Sequence, residues 1–205
     1  MEQLSRQELR KNRLSVWLIL LLPVAVIAAA TFVYYTGIGL PTGTSNQGVL
    51  IQPPRDIKPV VFKGSDGKPF FYADQPFKWS LLIPGQANCL SDCRDRLYFT
   101  RQLHTALGRM QTSLRRYFLV ADGPLTADTA ELLARDYPEL TVLYLDQAES
   151  NSLFGGIGPG PATGEPPAYF LVDPGGFLMM YYTSGHDHKQ VLHDLRFLIK
   201  ESGEI

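Results

Sequence analysis

The sequence predicts one α/β domain carried behind a single N-terminal membrane-spanning helix. Three observations point there. An uncharged apolar run covers Leu14 to Thr36. Short apolar runs of strand length then alternate with helical periods from about Trp79 to the end. The only two cysteines of the 205 residues, Cys89 and Cys93, stand where one of those runs gives way to a helix. The chain is 45% hydrophobic with a formal net charge of −1. About 150 residues lie beyond the apolar run and its linker, enough for a real core. The near-zero charge leaves no electrostatic footprint for nucleic acid. Two cysteines make neither a disulfide framework nor a four-thiolate zinc site.

At 1.5 Å per residue, the apolar run spans the ~30 Å hydrocarbon layer of a bilayer. Pro23 lies inside it, as membrane helices tolerate, and Trp17, Tyr34 and Tyr35 sit near its ends as interfacial aromatics do. Ala28, Ala29 and Ala30 imitate a signal-peptide cleavage site, but the apolar run continues through Phe32 and Val33, which favours an uncleaved anchor. Arg6, Arg10, Lys11 and Arg13 precede the run, and no Lys or Arg follows it until Arg55. The positive-inside rule then puts the N-terminus in the cytoplasm and the globular part outside, in a bacterium the periplasm, where disulfides form. The expected organisation is a cytoplasmic segment 1–13, a membrane helix 14–36, a linker 37–59 rich in Gly, Pro, Thr and Ser that turns into the first edge of the domain, and a globular domain 60–205.

Within the domain, Val60–Phe62 and Pro69–Tyr72 flank a Gly-Ser-Asp-Gly hairpin turn. Trp79–Ile83 is a buried strand. A helical period follows from about Ser91 to Leu114, with Leu97, Leu103, Leu107, Met110 and Leu114 on one face. Tyr117–Ala121 is the next strand, Thr126–Tyr137 a helix capped by Thr126 and stopped by Pro138, and Thr141–Leu145 a third strand. Asp146–Pro166 reads as a long Gly-rich loop, a lid or an insertion. Ala168–Val172 and Phe177–Tyr182 form a hairpin around Asp173-Pro174-Gly175-Gly176. Asp187, with Gln190 three residues on, caps a final helix with Val191, Leu192, Leu195, Leu198 and Ile199 inward. Parallel strands with helical crossovers, then an antiparallel hairpin and a closing helix, describe a thioredoxin-like domain.

The chemistry centres on KWSLLIPGQANCLSDCRDRL, residues 78–97. A helix N-terminus has unpaired N–H groups and partial positive charge, which stabilise a thiolate. Residues four apart meet on one helical turn, so Cys89 and Cys93 face each other or a common partner atom. Arg94 and Arg96 are offset by Asp92 and Asp95. His186 and His188, in SGHDHK, follow the last strand and are expected at the cysteine end of the sheet, as candidate nitrogen ligands or a solvated turn. Cys89, ahead of the helix, is expected to be the more exposed and the attacking thiol. His104 and His193 read as ordinary helix residues.

KWSLLIPGQANCLSDC, VADGP and YFLVDPGGFLMMYY together resemble the Sco family, membrane-anchored thioredoxin-fold proteins of cytochrome c oxidase assembly. The resemblance runs from about Val60 to the end and includes the anchor. It implies that Cys89 and Cys93 are paired copper-binding or redox thiols and that the client is the oxidase copper subunit or another copper protein. The family's third copper ligand is a histidine; its matching position is Glu165, a hard oxygen donor poorly suited to Cu(I). Pro167 matches the cis-proline that thioredoxins place beside their cysteines, so Pro166–Pro167 is expected to be cis. The reading that follows is a thiol-disulfide oxidoreductase acting through Cys89, Cys93 and Pro167. The alternatives are a Cu(I) chaperone using Cys89, Cys93, His186 and His188, and a scaffold with an inert bridge.

Overall fold

The computed structural model describes residues 2–36, 46–158 and 167–203. The chain forms two compact units, Met1–Ser45 and Asn46–Ile205. In the first, helix α1 runs Glu2–Thr36 and continues through Pro23. Its Val16–Thr36 portion, with a mean hydropathy of 2.7, is long and apolar enough to cross a membrane. The hydroxyls of Thr31 and Thr36 donate back to the carbonyls of Ile27 and Phe32, so neither is left unpaired along the helix.

The second unit contains strands β1 (Val49–Asp56), β2 (Val61–Gly64), β3 (Pro69–Phe71), β4 (Trp79–Gly85), β5 (Leu114–Val120), β6 (Thr141–Tyr144), β7 (Pro167–Val172) and β8 (Phe177–Thr183). Its helices are α2 (Ser91–Ala106), α3 (Ala127–Asp136), α4 (Gln147–Phe154) and α5 (His188–Glu201). The strands make one sheet in the order β1-β8-β7-β4-β5-β6-β2-β3. β4, β5 and β6 are parallel, β7 runs antiparallel beside β4, and β8 antiparallel beside β7. This is the expected thioredoxin-like arrangement, extended by β1 at one edge and by the β2–β3 hairpin at the other.

The central strands are buried on both faces, which is why they read as unbroken apolar runs. Leu81, Ile83, Phe118, Val120, Tyr169, Leu171, Met180 and Tyr182 pack with Leu97 and Leu103 of α2, Leu133 of α3 and Val191, Leu195 and Ile199 of α5. Their alternates Leu82, Tyr117, Leu119, Phe170, Val172 and Tyr181 join a second core with Ile51, Phe62, Leu143 and Leu153. Thr126 caps α3 through its side chain, and Asp187 with Gln190 forms a capping box on α5, both as the sequence indicated.

Three segments differ from the sequence reading. Val49–Asp56, inside the stretch read as linker, is an edge strand on β8. Its ladder skips between Leu50 and Arg55, where Pro53 and Pro54 lack N–H donors, and the Gln52–Pro53 bond is cis. α2 ends at Ala106 because Gly108 takes a positive φ of 60°, and Leu114, read as helical, opens β5. The stretch read as a structureless loop contains α4, capped by Asp146 accepting from the Glu149 N–H. Residues 159–166 of that stretch lie outside the described residues, and with them Glu165 and the expected cis Pro166–Pro167 bond.

Two polar groups tie distant elements together. Asp194 on α5 is 3% exposed, and its carboxylate accepts from the N–H groups of Gln47 and Gly48 and from the Tyr182 hydroxyl. Burial, and then the Asp194 charge, pushes the Tyr182 phenol well above its usual range, so it stays a donor. The His104 Nε2–H is shared between the carbonyls of Gln111 and Leu114, joining the end of α2 to the start of β5.

Asp194→Ala leaves two backbone donors and a phenol unpaired in the interior and is expected to cost about 3 kcal/mol. Asp187→Ala, the loss of an exposed cap, should cost about 1 kcal/mol. Denaturant midpoints of the two variants test this ranking, and equal losses would count against it. Burial, then the Arg116 charge, holds the His104 imidazole below its ordinary value of 6.5. As pH falls through 6.5 the unfolded chain therefore takes up this proton first, and stability declines down to the lower folded value. His104→Gln should flatten that arm of the stability–pH curve relative to the parent chain.

Candidate functional site

The register brings four loop positions to one end of the sheet. Gly85 of β4 lies beside Val120 of β5, and Pro167 of β7 beside Thr183 of β8. The cysteine loop leaves β4 at Gly85, where any Cβ would run into the Phe118 ring. The His186–His188 segment does lie at this end, following β8.

Cys89 and Cys93 form a disulfide, with their Cα atoms 5.2 Å apart. Cys93 lies in the first turn of α2 and Cys89 just ahead of it. Leu90 stands at the N-cap position with no side-chain cap. Leucine is a poor cap, so the first-turn N–H groups stay available to a neighbouring sulfur. The expectation that Cys89 is the more exposed sulfur is corrected: Cys89 is 1% and Cys93 5% exposed. Both pack in the core with Leu97, Leu133 and Ala168, while Leu90 between them is 60% exposed.

What covers Cys89 is the start of α3. The Thr129 hydroxyl oxygen accepts the Cys89 N–H at 3.0 Å. The Thr126 N–H donates to the Ala87 carbonyl, and the Ala87 N–H donates to Asp122. From the other side the Arg94 guanidinium donates to the Cys89 carbonyl at 3.1 Å. Thr129, Asp122 and the clamping role of Arg94 were not singled out from the sequence. Asp122-Gly123 after a strand signals a turn, but the partner of that turn is 35 residues earlier.

A cleft of about 540 Å³ opens between α2 and the start of β7. Asp92, Asp95, Arg96 and Phe99 of α2 line one wall, and Pro167 and Tyr169 the other. Pro167 is thus brought to the helix that carries Cys93. The Phe99 ring stacks on Tyr169 at 5.3 Å and lies against His188 at 3.9 Å. Burial pushes the Tyr169 phenol up to about 12, so it is neutral at ordinary pH.

The two histidines have separate roles. His186 Nδ1 accepts from the Thr183 N–H, and its Nε2–H donates to the Gln47 carbonyl, so both ring nitrogens hold β1 to β8. His188 packs on Phe99, and its Nε2 is buried with no hydrogen-bond partner among the described residues. Among the described residues, no group of three or more His, Cys, Asp or Glu side chains is arranged to hold a metal ion.

The model of one protein family, described as transmembrane-like, thioredoxin-like, C-terminal domain, matches residues 79–202. The chain belongs to this transmembrane-like, thioredoxin-like family. The match begins at β4 and so takes in the cysteine loop and the cleft. Among solved structures, the fold is similar to copper-bound yeast Sco1, with 18% identity, a TM-score of 0.55, and coverage of 77% of this chain and 95% of that one. It is similar to copper-bound ScoI of Arabidopsis thaliana, with 16% identity, a TM-score of 0.54, and coverage of 71% and 96%. A third is BsSco, a member of the Sco family of cytochrome c oxidase assembly proteins in which a disulfide switch was identified, with 16% identity, a TM-score of 0.53, and coverage of 78% and 99%. The comparison with curated proteins found no match. In this transmembrane-like, thioredoxin-like chain the fold is therefore that of the Sco structures, and the site's chemistry rests on its own residues.

Thr129→Val keeps the side-chain shape and leaves the Cys89 N–H without its acceptor, a loss of about 1–3 kcal/mol. The loop should loosen and dithiothreitol should reduce the Cys89–Cys93 bond several-fold faster than in the parent chain. An unchanged reduction rate would show that Thr129 does not guard the pair.

Proposed function

We propose that this chain is a membrane-anchored thiol–disulfide exchange protein whose reactive pair is Cys89 and Cys93. The observation that carries the reading is a single-turn disulfide at an uncapped helix N-terminus, on the helix that lines a cleft opposite Pro167. In the reduced protein, the Cys89 thiolate attacks one sulfur of a client disulfide and expels the other client sulfur as a thiolate. The Cys93 thiolate then attacks Cys89 in the mixed disulfide and releases the second client thiol. Two electrons pass to the client, and the protein returns to the disulfide form. Cys89 takes the attacking role because it lies just ahead of the first-turn N–H groups, which favour its thiolate. The cover over both sulfurs makes opening of the 86–90 loop part of the reaction.

The anchor is the Val16–Thr36 portion of α1. By the positive-inside rule, the domain lies on the outer face of a bacterial inner membrane, an oxidising compartment in which a reactive disulfide persists. The client, by likeness to the Sco structures, is a copper protein such as the oxidase copper subunit.

A second reading, Cu(I) carriage, is favoured by the unpartnered Nε2 of His188. Reduced Cys89 and Cys93 would supply two soft sulfur donors, as Cu(I) prefers. His186 is occupied by Thr183 and Gln47 and fits a ligand role poorly.

In the full chain in detergent, Cys93→Ser is expected to accumulate a mixed disulfide with a client peptide bearing a disulfide, whereas Cys89→Ser should not. The reverse pattern would exchange the two roles, and no adduct with either variant would sink thiol exchange. Titration of the reduced chain with Cu(I) separates the readings. One tight equivalent lost in His188→Ala selects carriage, and the absence of tight binding leaves exchange.

A further inference from the structure

We propose that the end of the sheet opposite the cysteine loop holds a binding site for a small oxyanion, with Arg116 as its principal donor. Arg116 lies near the start of β5, paired with Leu81, whereas the cysteine loop leaves the other end of these strands. It is 5% exposed. Its Nη1 is buried and has no hydrogen-bond partner among the described residues, and no carboxylate among them is paired with it. A buried guanidinium is ordinarily matched by an anion, because a lone charge out of water is costly.

The surroundings supply a place for that anion. Arg116 borders a cleft of about 290 Å³ together with His104, Gln111, Thr112, Glu139 and Thr141. Arg115, also on its edge, is already engaged by Gln75, Tyr117 and the Pro76 carbonyl. Glu139 is the one carboxylate in the lining. Its side chain is 72% exposed and stands 3.7 Å from His104 Nδ1; its charge reaches Arg116 across the cleft, but the two form no ion pair. The guanidinium is a planar fork that takes two oxygens of one anion, and the hydroxyls and the Gln111 amide provide neutral donors around it. The volume suits a phosphate or a small carboxylate and is too small for a nucleotide. These two ligands share the chemistry that Arg116 selects.

The test uses the full chain in detergent, titrated with inorganic phosphate, succinate or chloride at equal ionic strength. The readouts are the ring resonances of His104 and of the half-exposed His193, together with the unfolding temperature. Phosphate or succinate, but not chloride, should move the His104 resonances saturably, leave His193 in place and raise the unfolding temperature by a few degrees. The stronger of the two identifies the source of the anion. Glu139→Gln should tighten binding several-fold by removing the competing charge, and Arg116→Met should abolish it. Should Arg116→Met not fold, the contrast between His104 and His193 in the parent chain decides. Equal movement at both histidines, a response that survives Arg116→Met, or no response beyond chloride overturns the site.

Discussion

Burial of the four central strands on both faces fixes the position of every loop at the cysteine end. β4 and β5 pair without interruption from Trp79–Leu114 to Gly85–Val120. Along β4 and β5, successive buried apolar side chains go alternately to the two cores. A slip of one residue would exchange Leu81 and Ile83 with Leu82 and put every side chain on the wrong face. The register is therefore pinned by apolar packing alone, and Gly85, Asp122, Pro167 and Thr183 are brought to one end as a consequence. The cysteine loop needs no precision of its own at the start; it inherits its position from the sheet and then refines it through Ala87, Cys89 and the start of α3.

A second layer of order is polar and long-range. Asp194 and His186 hold the same short segment, Gln47–Gly48, from two elements. The carboxylate takes the N–H groups and the imidazole gives its proton to the carbonyl, so the backbone there is satisfied from both sides. The strand that begins at Val49 is thereby fastened to β8 at the end of the sheet where the cysteines lie. This explains a histidine that composition alone would offer as a ligand: its nitrogens are spent on architecture. His188, two residues later, is left with a buried free nitrogen because it begins a helix and points against Phe99 instead.

The parts legible in the sequence were those with a local cause. Apolar runs gave the central strands, Thr126 and the Asp187–Gln190 pair gave two helix starts, and the cysteine spacing located the site. Asp146 with Glu149 carries the same start signal for α4, but the glycines and prolines that follow dominate the composition of that segment. β1 was hidden because Pro53 and Pro54 contradict a strand, and only its flanks, Val49–Leu50 and Arg55–Asp56, join the ladder. The burial of Cys89 was beyond reach for another reason. Its cover is Thr129, 40 residues on, and no local pattern reports a hydroxyl arriving from another element. The occupation of His186 by Gln47, across 139 residues, is the same case.

The covered disulfide bears on how the proposed exchange would be controlled. Nucleophilic attack needs the incoming sulfur in line with the bond it breaks, and neither Cys89 nor Cys93 presents an open face. The hydrogen bonds that hold the loop are few, from the Thr129 hydroxyl, the Ala87 carbonyl, the Asp122 carboxylate and the Arg94 guanidinium, and modest beside the packing of the strands. Opening the loop thus costs far less than opening the domain, which is the condition for a local, reversible exposure. The side chain already outside is Leu90, between the two cysteines. An apolar contact there adjoins the loop without touching either sulfur, so a client that binds it is placed to draw the loop outward while α2 and the sheet stay fixed. A general reductant makes no such contact and meets only the closed form. Under the proposed exchange function, selectivity for a protein client would arise from the cover itself, before any difference in thiol reactivity enters.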